Sequence, residues 1–219
     1  MSLLDQIVVP RLRSFWVRMA LRRVHYADRA DKLNRLYRVE NPWRMDSARE
    51  QARFAWTNEL IATHLSPLDT ILEVGCAEGH QSQYLSRVCR QLYGIDVSRR
   101  AVRRAERRCP SGKFAAADPL GAWPAQMPAK VDLAAACEVI FYVKDIPAFL
   151  ARLSELGHAC LVTYYQGEAP ALDPQFAAMS DCRRERFASM EWSGTRSGGQ
   201  TATNMIRKYL LKSHHSFQR

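Results

Sequence analysis

No apolar run in this chain approaches the roughly 20 residues that cross a bilayer, so no membrane span is expected. The opening stretch, MSLLDQIVVPRLRSFW, holds only a short apolar run that starts at an acidic residue. No small-residue cleavage site follows it, so it is not read as a signal peptide. None of the six cysteines pairs as CxxC, and none stands at zinc-ligand spacing with a histidine. Without a secretion signal a disulfide framework is not expected either. The thiols are expected to be buried or incidental, in a reducing cytoplasm. Internal repeats and low-complexity linkers are also lacking, which excludes solenoids and tethered arrays.

What is present is the composition of one globular domain. The 219 residues are 47% hydrophobic and 25% charged, enough to bury a core of their own. The 32 Lys and Arg residues outnumber the 22 Asp and Glu residues, for a net charge of +10. That excess is mostly arginine and falls on stretches with helical spacing, so solvated helix faces explain most of it. Nucleic acid is disfavoured as a partner on this ground. Peripheral membrane contact through the basic leader stays open, and no pattern fixes an oligomeric state.

The chain divides into three parts. A basic helical leader fills residues 1–65. Leu12, Phe15, Trp16 and Met19 recur there at helical spacing among arginines. A break is expected at Asn41-Pro42. Asp46 or Ser47 can then cap a second helix whose buried face includes Phe54, Ala55, Leu60, Ile61 and Leu65. Residues 66–212 form the main domain, and 213–219 a polar tail.

From Thr70 strands and helices alternate. TILEVG, QLYGIDVS, KFAAAD, VDLAAACEV and HACLVTYY read as strands. QSQYLSRVC, RRAVRRAERR and DIPAFLARLSEL read as helices. This alternation predicts right-handed crossovers and a parallel sheet covered on both faces. After a helix expected around Pro174 to Arg186, FASMEWSGT and TATNMIRKYLL flank RSGGQ, which reads as an antiparallel hairpin.

The strongest local signal is ILEVGCAEGH, Ile71 to His80. A buried strand ends near an acid, then come glycine, three residues and a second glycine opening a helix. Gly75 lets the backbone turn tightly and a ligand lie close to it, and Gly79 does the same where free helix amides gather. The segment resembles the acid-x-Gly-x-Gly-x-Gly motif of the S-adenosylmethionine-dependent methyltransferases. Glu73, Gly75 and Gly79 match it, and Ala77 replaces the central glycine. Dinucleotide enzymes space their glycines as G-x-G-x-x-G, which does not fit. Asp96, at the end of the second strand, can accept hydrogen bonds from two ribose hydroxyls. By the resemblance, Asp118 and Pro119 in the turn from Ala117 to Leu120 meet adenine, and Cys137 and Glu138 face the methionine part of the cofactor. Each aspartate could instead cap the segment after it.

The resemblance implies an α/β Rossmann-like fold of class I: a mostly parallel seven-stranded sheet, an antiparallel C-terminal hairpin and an N-terminal helical leader. It implies S-adenosyl-L-methionine as cofactor. The chain lacks the Asn/Asp-Pro-Pro-aromatic loop of the nucleotide-amine methyltransferases, so base amines are disfavoured as acceptors. No cluster of carboxylates follows the fourth strand, so metal dependence is not expected.

The stretch NPWRMDSAREQARFAW, taken with VGCAEGH and CEVIFYV, is similar to the family of nodulation protein S, an N-methyltransferase acting on the free amine of a chitooligosaccharide. The similarity runs from about Asn41 to about Thr163. It implies a saccharide or small-molecule amine as acceptor, with O-methylation of a hydroxyl as the alternative. It also implies that Trp43 lies near the cofactor and that Arg44 is a candidate ligand for its carboxylate. Trp43 could equally anchor the core, and Arg44 could face solvent. Candidates for acid–base or wall roles are His80, Glu138, Tyr142, Tyr164 and Tyr165. His80 directly follows Gly79, which suits capping as well as catalysis.

Overall fold

A computed structural model describes residues 29–165 and 169–177, the backbone of 182–195 and 201–213, and scattered positions between 15 and 27. Most of the first helical stretch of the leader, the RSGGQ turn and residues 214–219 of the tail lie outside the described residues. Among the described residues no helix is long and apolar enough to cross a membrane.

Five strands build the parallel sheet: β1 (Thr70–Val74), β2 (Gln91–Asp96), β3 (Lys113–Ala116), β4 (Val131–Cys137) and β5 (Gly157–Tyr165). They lie in the order β3-β2-β1-β4-β5. The central strands are buried on both faces, as their continuous apolar runs require. In β1, Ile71, Leu72, Glu73 and Val74 are all buried, and in β4 so are Leu133 to Ala136. Ile71 pairs with Leu92 on one side and Leu133 on the other. The chain runs outward from β1 to β3, then crosses back to β4. β1 and β4 therefore flank the point where the order reverses, and crevices for ligands form there, outside the carboxyl ends of the strands.

The helices cover the sheet: α1 (Ala30–Leu36), α2 (Ala48–His64), α3 (Ser82–Leu85), α4 (Arg99–Arg108), α5 (Ile146–Leu156) and α6 (Ala169–Ala177). In α4, Ser98 accepts the Ala101 amide, and Ala101, Val102 and Ala105 face the core while the arginines stand outside. Asp145 caps α5 in the same way, and Ile146, Phe149, Leu150, Leu153 and Leu156 form its buried stripe.

Three elements differ from the sequence expectation. The helix expected through Cys89 stops at Leu85. Arg87 and Val88 donate three residues back, to Tyr84 and Leu85, and the Arg90 amide turns to the Asp69 carbonyl. This tighter winding lets the chain enter β2 at Gln91. The helix expected at Pro174 to Arg186 instead spans Ala169–Ala177. Its Leu172 and Phe176, four residues apart, are buried, and Phe176 stacks on Tyr164 with ring centroids 5.7 Å apart. The backbone at Cys182–Thr195 is extended instead. Third, the buried face of α2 is Glu50, Arg53, Phe54, Thr57 and Ile61. Ala55 is exposed, and Leu60 and Leu65 are half-buried.

Beyond β5, the backbone of β6 (Cys182–Thr195) and β7 (Thr201–Ser213) runs antiparallel, with β7 next to β5.

Candidate active site

The first loop is built by a backbone exchange between β1 and β2. The Gly75 and Cys76 amides both donate to the Ile95 carbonyl, at 2.8 and 2.9 Å. Gly75 has φ +77°, and a Cβ there would stand 2.3 Å from a Val139 methyl, so only glycine fits. Ala77 takes φ +48°, a conformation costing an L-residue about 1–2 kcal/mol. It is held by its amide donating to Asp96 Oδ2 at 3.0 Å. The other Asp96 oxygen accepts from the Ser98 amide at 2.8 Å.

A cavity of about 410 Å³ opens over this junction, within the range of sites for cofactor-sized ligands. Gly75, Ala77 and Asp96 form its floor, with Asp118, Pro119 and Leu120 at one end. Cys137, Glu138 and Tyr142 line its other side, and Leu33 and Tyr37 of the leader, with Trp43, Met45, Glu50 and Arg53, close it from above. Burial pushes the Asp96 carboxyl up to about 6 despite its two backbone donors. A carboxylate so short of solvent is stabilised by any ligand that brings hydroxyl donors. A ribose diol does so. The carboxylate acceptor of the floor therefore fits the diol of a nucleoside, and Asp118, whose Oδ1 accepts from the Leu120 amide at 2.9 Å, lines the same cavity.

Gly75, Asp96, Asp118, Pro119, Cys137, Glu138, Trp43 and Tyr142 thus come together around one cavity. Trp43 and Tyr142 meet at 5.7 Å between centroids, and Trp43 Nε1 donates to the Tyr37 hydroxyl at 3.2 Å. Glu138 has a left-handed backbone, φ +59°. Both ends of it are tied to Thr163 of β5: its amide donates to the Thr163 carbonyl at 2.9 Å, and its Oε1 accepts from the Thr163 hydroxyl at 3.2 Å. Backbone strain of this kind persists where neighbours over-determine it, and it gathers at functional sites.

Five of the residues expected at the site stand elsewhere. Glu73 is 2% exposed inside β1, where its Oε2 accepts from Ser82 at 2.5 Å; burial raises it to about 8, and it lies behind the loop. Gly79 faces α4, where a Cβ would meet Ala105 Cα at 2.8 Å, so its glycine serves packing. His80 lies away from the cavity lining, and burial and the Arg108 charge lower it to about 4. Arg44 is exposed, at φ +55°, and outside the lining. Tyr164 is fully buried and donates to Asp173 at 2.6 Å. The Tyr165 side chain is outside the described residues.

The sequence reading missed Arg53, Glu50 and Tyr37. Arg53 is 3% exposed, and its Nε donates to Glu50 Oε2 at 2.8 Å. Burial opposes its charge, but the Glu138 and Glu50 carboxylates outweigh that and raise its pKa. The available signal was spacing: Glu50 and Arg53 are three residues apart on the stripe that continues through Phe54, Thr57 and Ile61. The turn before α2 is pinned separately. Glu78, 1% exposed, accepts the Asn41 amide at 2.8 Å and pairs with Arg104.

The profile of the nodulation protein S family matches residues 26–160, a span that contains the whole cavity floor. The chain belongs to the nodulation protein S family. By family and fold it is an S-adenosylmethionine-dependent methyltransferase. The nodulation protein S of Sinorhizobium fredii is 28% identical over 186 residues, covering 82% of this chain and 77% of that one. Among solved structures, N-methyltransferase NodS from Bradyrhizobium japonicum, in complex with S-adenosyl-L-homocysteine, is similar with a TM-score of 0.63 and 20% identity, over 83% of this chain and 97% of that one. Magnesium protoporphyrin IX methyltransferase from Synechocystis, with its bound S-adenosylmethionine, shares the fold at a TM-score of 0.54 and 16% identity, over 74% of this chain and 77% of that one.

Proposed function

We propose that the chain N-methylates a free amino group of a saccharide or small molecule. The observation that carries this reading is the placement of Glu138. An acid stands at the tip of β4, inside the cavity, with its backbone strained and both ends tied to Thr163. S-adenosylmethionine supplies an electrophilic methyl group when bound. The chain must hold an amine in line with it and exclude water, which contributes roughly 7–11 kcal/mol of the barrier lowering. Glu138 attracts an amine that arrives as ammonium and takes its proton, freeing the lone pair. Trp43 and Tyr142 form an aromatic wall suited to a positively charged sulfur and to the face of a sugar.

On this reading Asp96 holds the ribose, Asp118 and Pro119 the adenine, and Gly75 and Cys137 the middle of the cofactor. Residues 1–65 act as a lid over residues 66–212, with 213–219 as a tail. The complete sheet has seven strands, five parallel and closed at one edge by the antiparallel hairpin of β6 and β7. The test is incubation with methyl-labelled S-adenosylmethionine and a panel of amino sugars, each paired with its N-acetylated form. Mass spectrometry should find methyl on nitrogen in the free amines alone. Transfer to the acetylated members would favour a hydroxyl acceptor instead.

A further inference from the structure

Phe15, Trp16, Val17, Met19 and Leu21 are helical, and this stretch of the leader carries two apolar faces. Val17 and Leu21, four residues apart, are half-buried, and Val24, one turn on, is fully buried. Leu21 lines the cavity, so this face packs on the protein. Phe15 and Trp16 lie four and three residues before Met19, which puts the three together on the opposite side. They are 59%, 37% and 49% exposed.

Of the four large apolar side chains exposed among the described residues, three stand here, and the fourth, Leu120, belongs to the cavity. Apolar side chains exposed singly need no explanation, but a contiguous group on one face marks a contact site.

Charge decides what covers that face. In sequence, Arg11, Arg13, Arg18, Arg22 and Arg23 surround the three residues, and no acid stands between Asp5 and Asp28. A second copy of the chain would bring the same cations and be repelled. Nucleic-acid phosphates would match the arginines but leave the apolar side chains in water. A bilayer with anionic headgroups answers both, since cations meet its surface while apolar side chains enter below the headgroups. Trp16 suits that boundary, having an apolar ring and one N–H donor.

We propose that Phe15, Trp16 and Met19 dock this outer helix face on an anionic lipid surface. The same helix supplies Leu21 to the cavity. Docking therefore leaves only one helix diameter, about 10 Å, between the lipid surface and the cavity wall. The contact is independent of the chemistry at Glu138.

The test is co-sedimentation of the full chain with vesicles of phosphatidylcholine alone, and of two parts phosphatidylcholine to one part phosphatidylglycerol. Binding is expected on the anionic vesicles only, and should fall as salt shortens the Debye length toward about 3 Å. Arg18→Gln combined with Arg22→Gln should weaken it by about 30-fold, at roughly fivefold per cation. Phe15→Ser combined with Trp16→Ser and Met19→Ser should weaken it by at least about tenfold. Both variants should keep the parent's melting temperature, and the arginine pair keeps the test open should the serine variant fail to fold. Absence of binding to the anionic vesicles would overturn the proposal. Equal binding by parent and serine variant would leave charge alone as the cause, and equal binding to neutral vesicles would remove the arginines; either overturns it. Self-association of the parent that the serine variant abolishes, with vesicles unbound, would assign the face to a second copy and overturn it as well.

Discussion

The Ala77 amide donates to Asp96 Oδ2 across 3.0 Å, and this contact joins the loop after β1 to the tip of β2. It fixes one carboxylate oxygen in the cavity floor, while the Ser98 amide fixes the other. The same contact holds Ala77 in a conformation that glycine adopts freely.

Ala77→Gly should therefore stabilise the protein, by up to about 1 kcal/mol after the added chain entropy of glycine is subtracted. A thermal melt checks this. A lower melting temperature would show that the left-handed turn costs nothing at this position.

How legible this site was depended on where each signal sits. The strand tips could be read because β1, β2 and β4 are short apolar runs that end in glycine or an acid, as the buried TILEV and LAAA segments show. Asp96 and Glu138 followed from that. Glu73 and His80 belonged to the same motif but face away from the cavity, since a strand alternates its side chains and a helix start turns them. The leader was harder. Arg53 and Glu50 lie on what reads as an apolar helix face, and only their mutual pairing lets them be buried there. Arg44 stood next to Trp43 in sequence, yet the turn around Asn41 sends the two side chains apart. Local spacing cannot report that.

Glu73 gives the stability a pH dependence. Burial raises its folded pKa from an ordinary 4.5 to about 8, so the folded state holds a proton that the unfolded state releases. The contribution of Glu73 to stability is then full below about pH 4.5 and falls by up to about 1.4 kcal/mol per pH unit until about pH 8. Asp96, raised to about 6, acts in the same direction over the lower part of that window. Glu73→Gln keeps an oxygen for the Ser82 hydroxyl and carries no charge. Its melting temperature should exceed the parent's at pH 8 and match it near pH 4.5. Equal melts at pH 8 would contradict the buried, protonated acid.

Glu78 ties the Asn41 turn to α4 through the Asn41 amide and Arg104. Removing one partner of a buried ion pair costs about 3–5 kcal/mol. Glu78→Ala should lower stability by that order and expose the segment between α1 and α2 to limited proteolysis. An uncut segment would mean that the leader is held from elsewhere.

Glu138→Gln should reduce turnover of an amine acceptor by about 10²–10⁴-fold, the usual worth of a positioned base. Binding of S-adenosylhomocysteine should stay near the parent value. Thr163→Val should shift the acid limb of the pH–rate profile by freeing the Glu138 carboxylate, with Thr163→Ser restoring it. An unshifted profile would leave Thr163 as packing only.

The tips of β1, β2 and β3 are proposed to receive the nucleoside of S-adenosylmethionine. Calorimetric titration of S-adenosylhomocysteine into the parent chain and Asp96→Ala tests it most directly. One site in the parent, weakened at least about tenfold by the loss of two hydroxyl contacts, is the predicted result. Equal affinity in both proteins would contradict it.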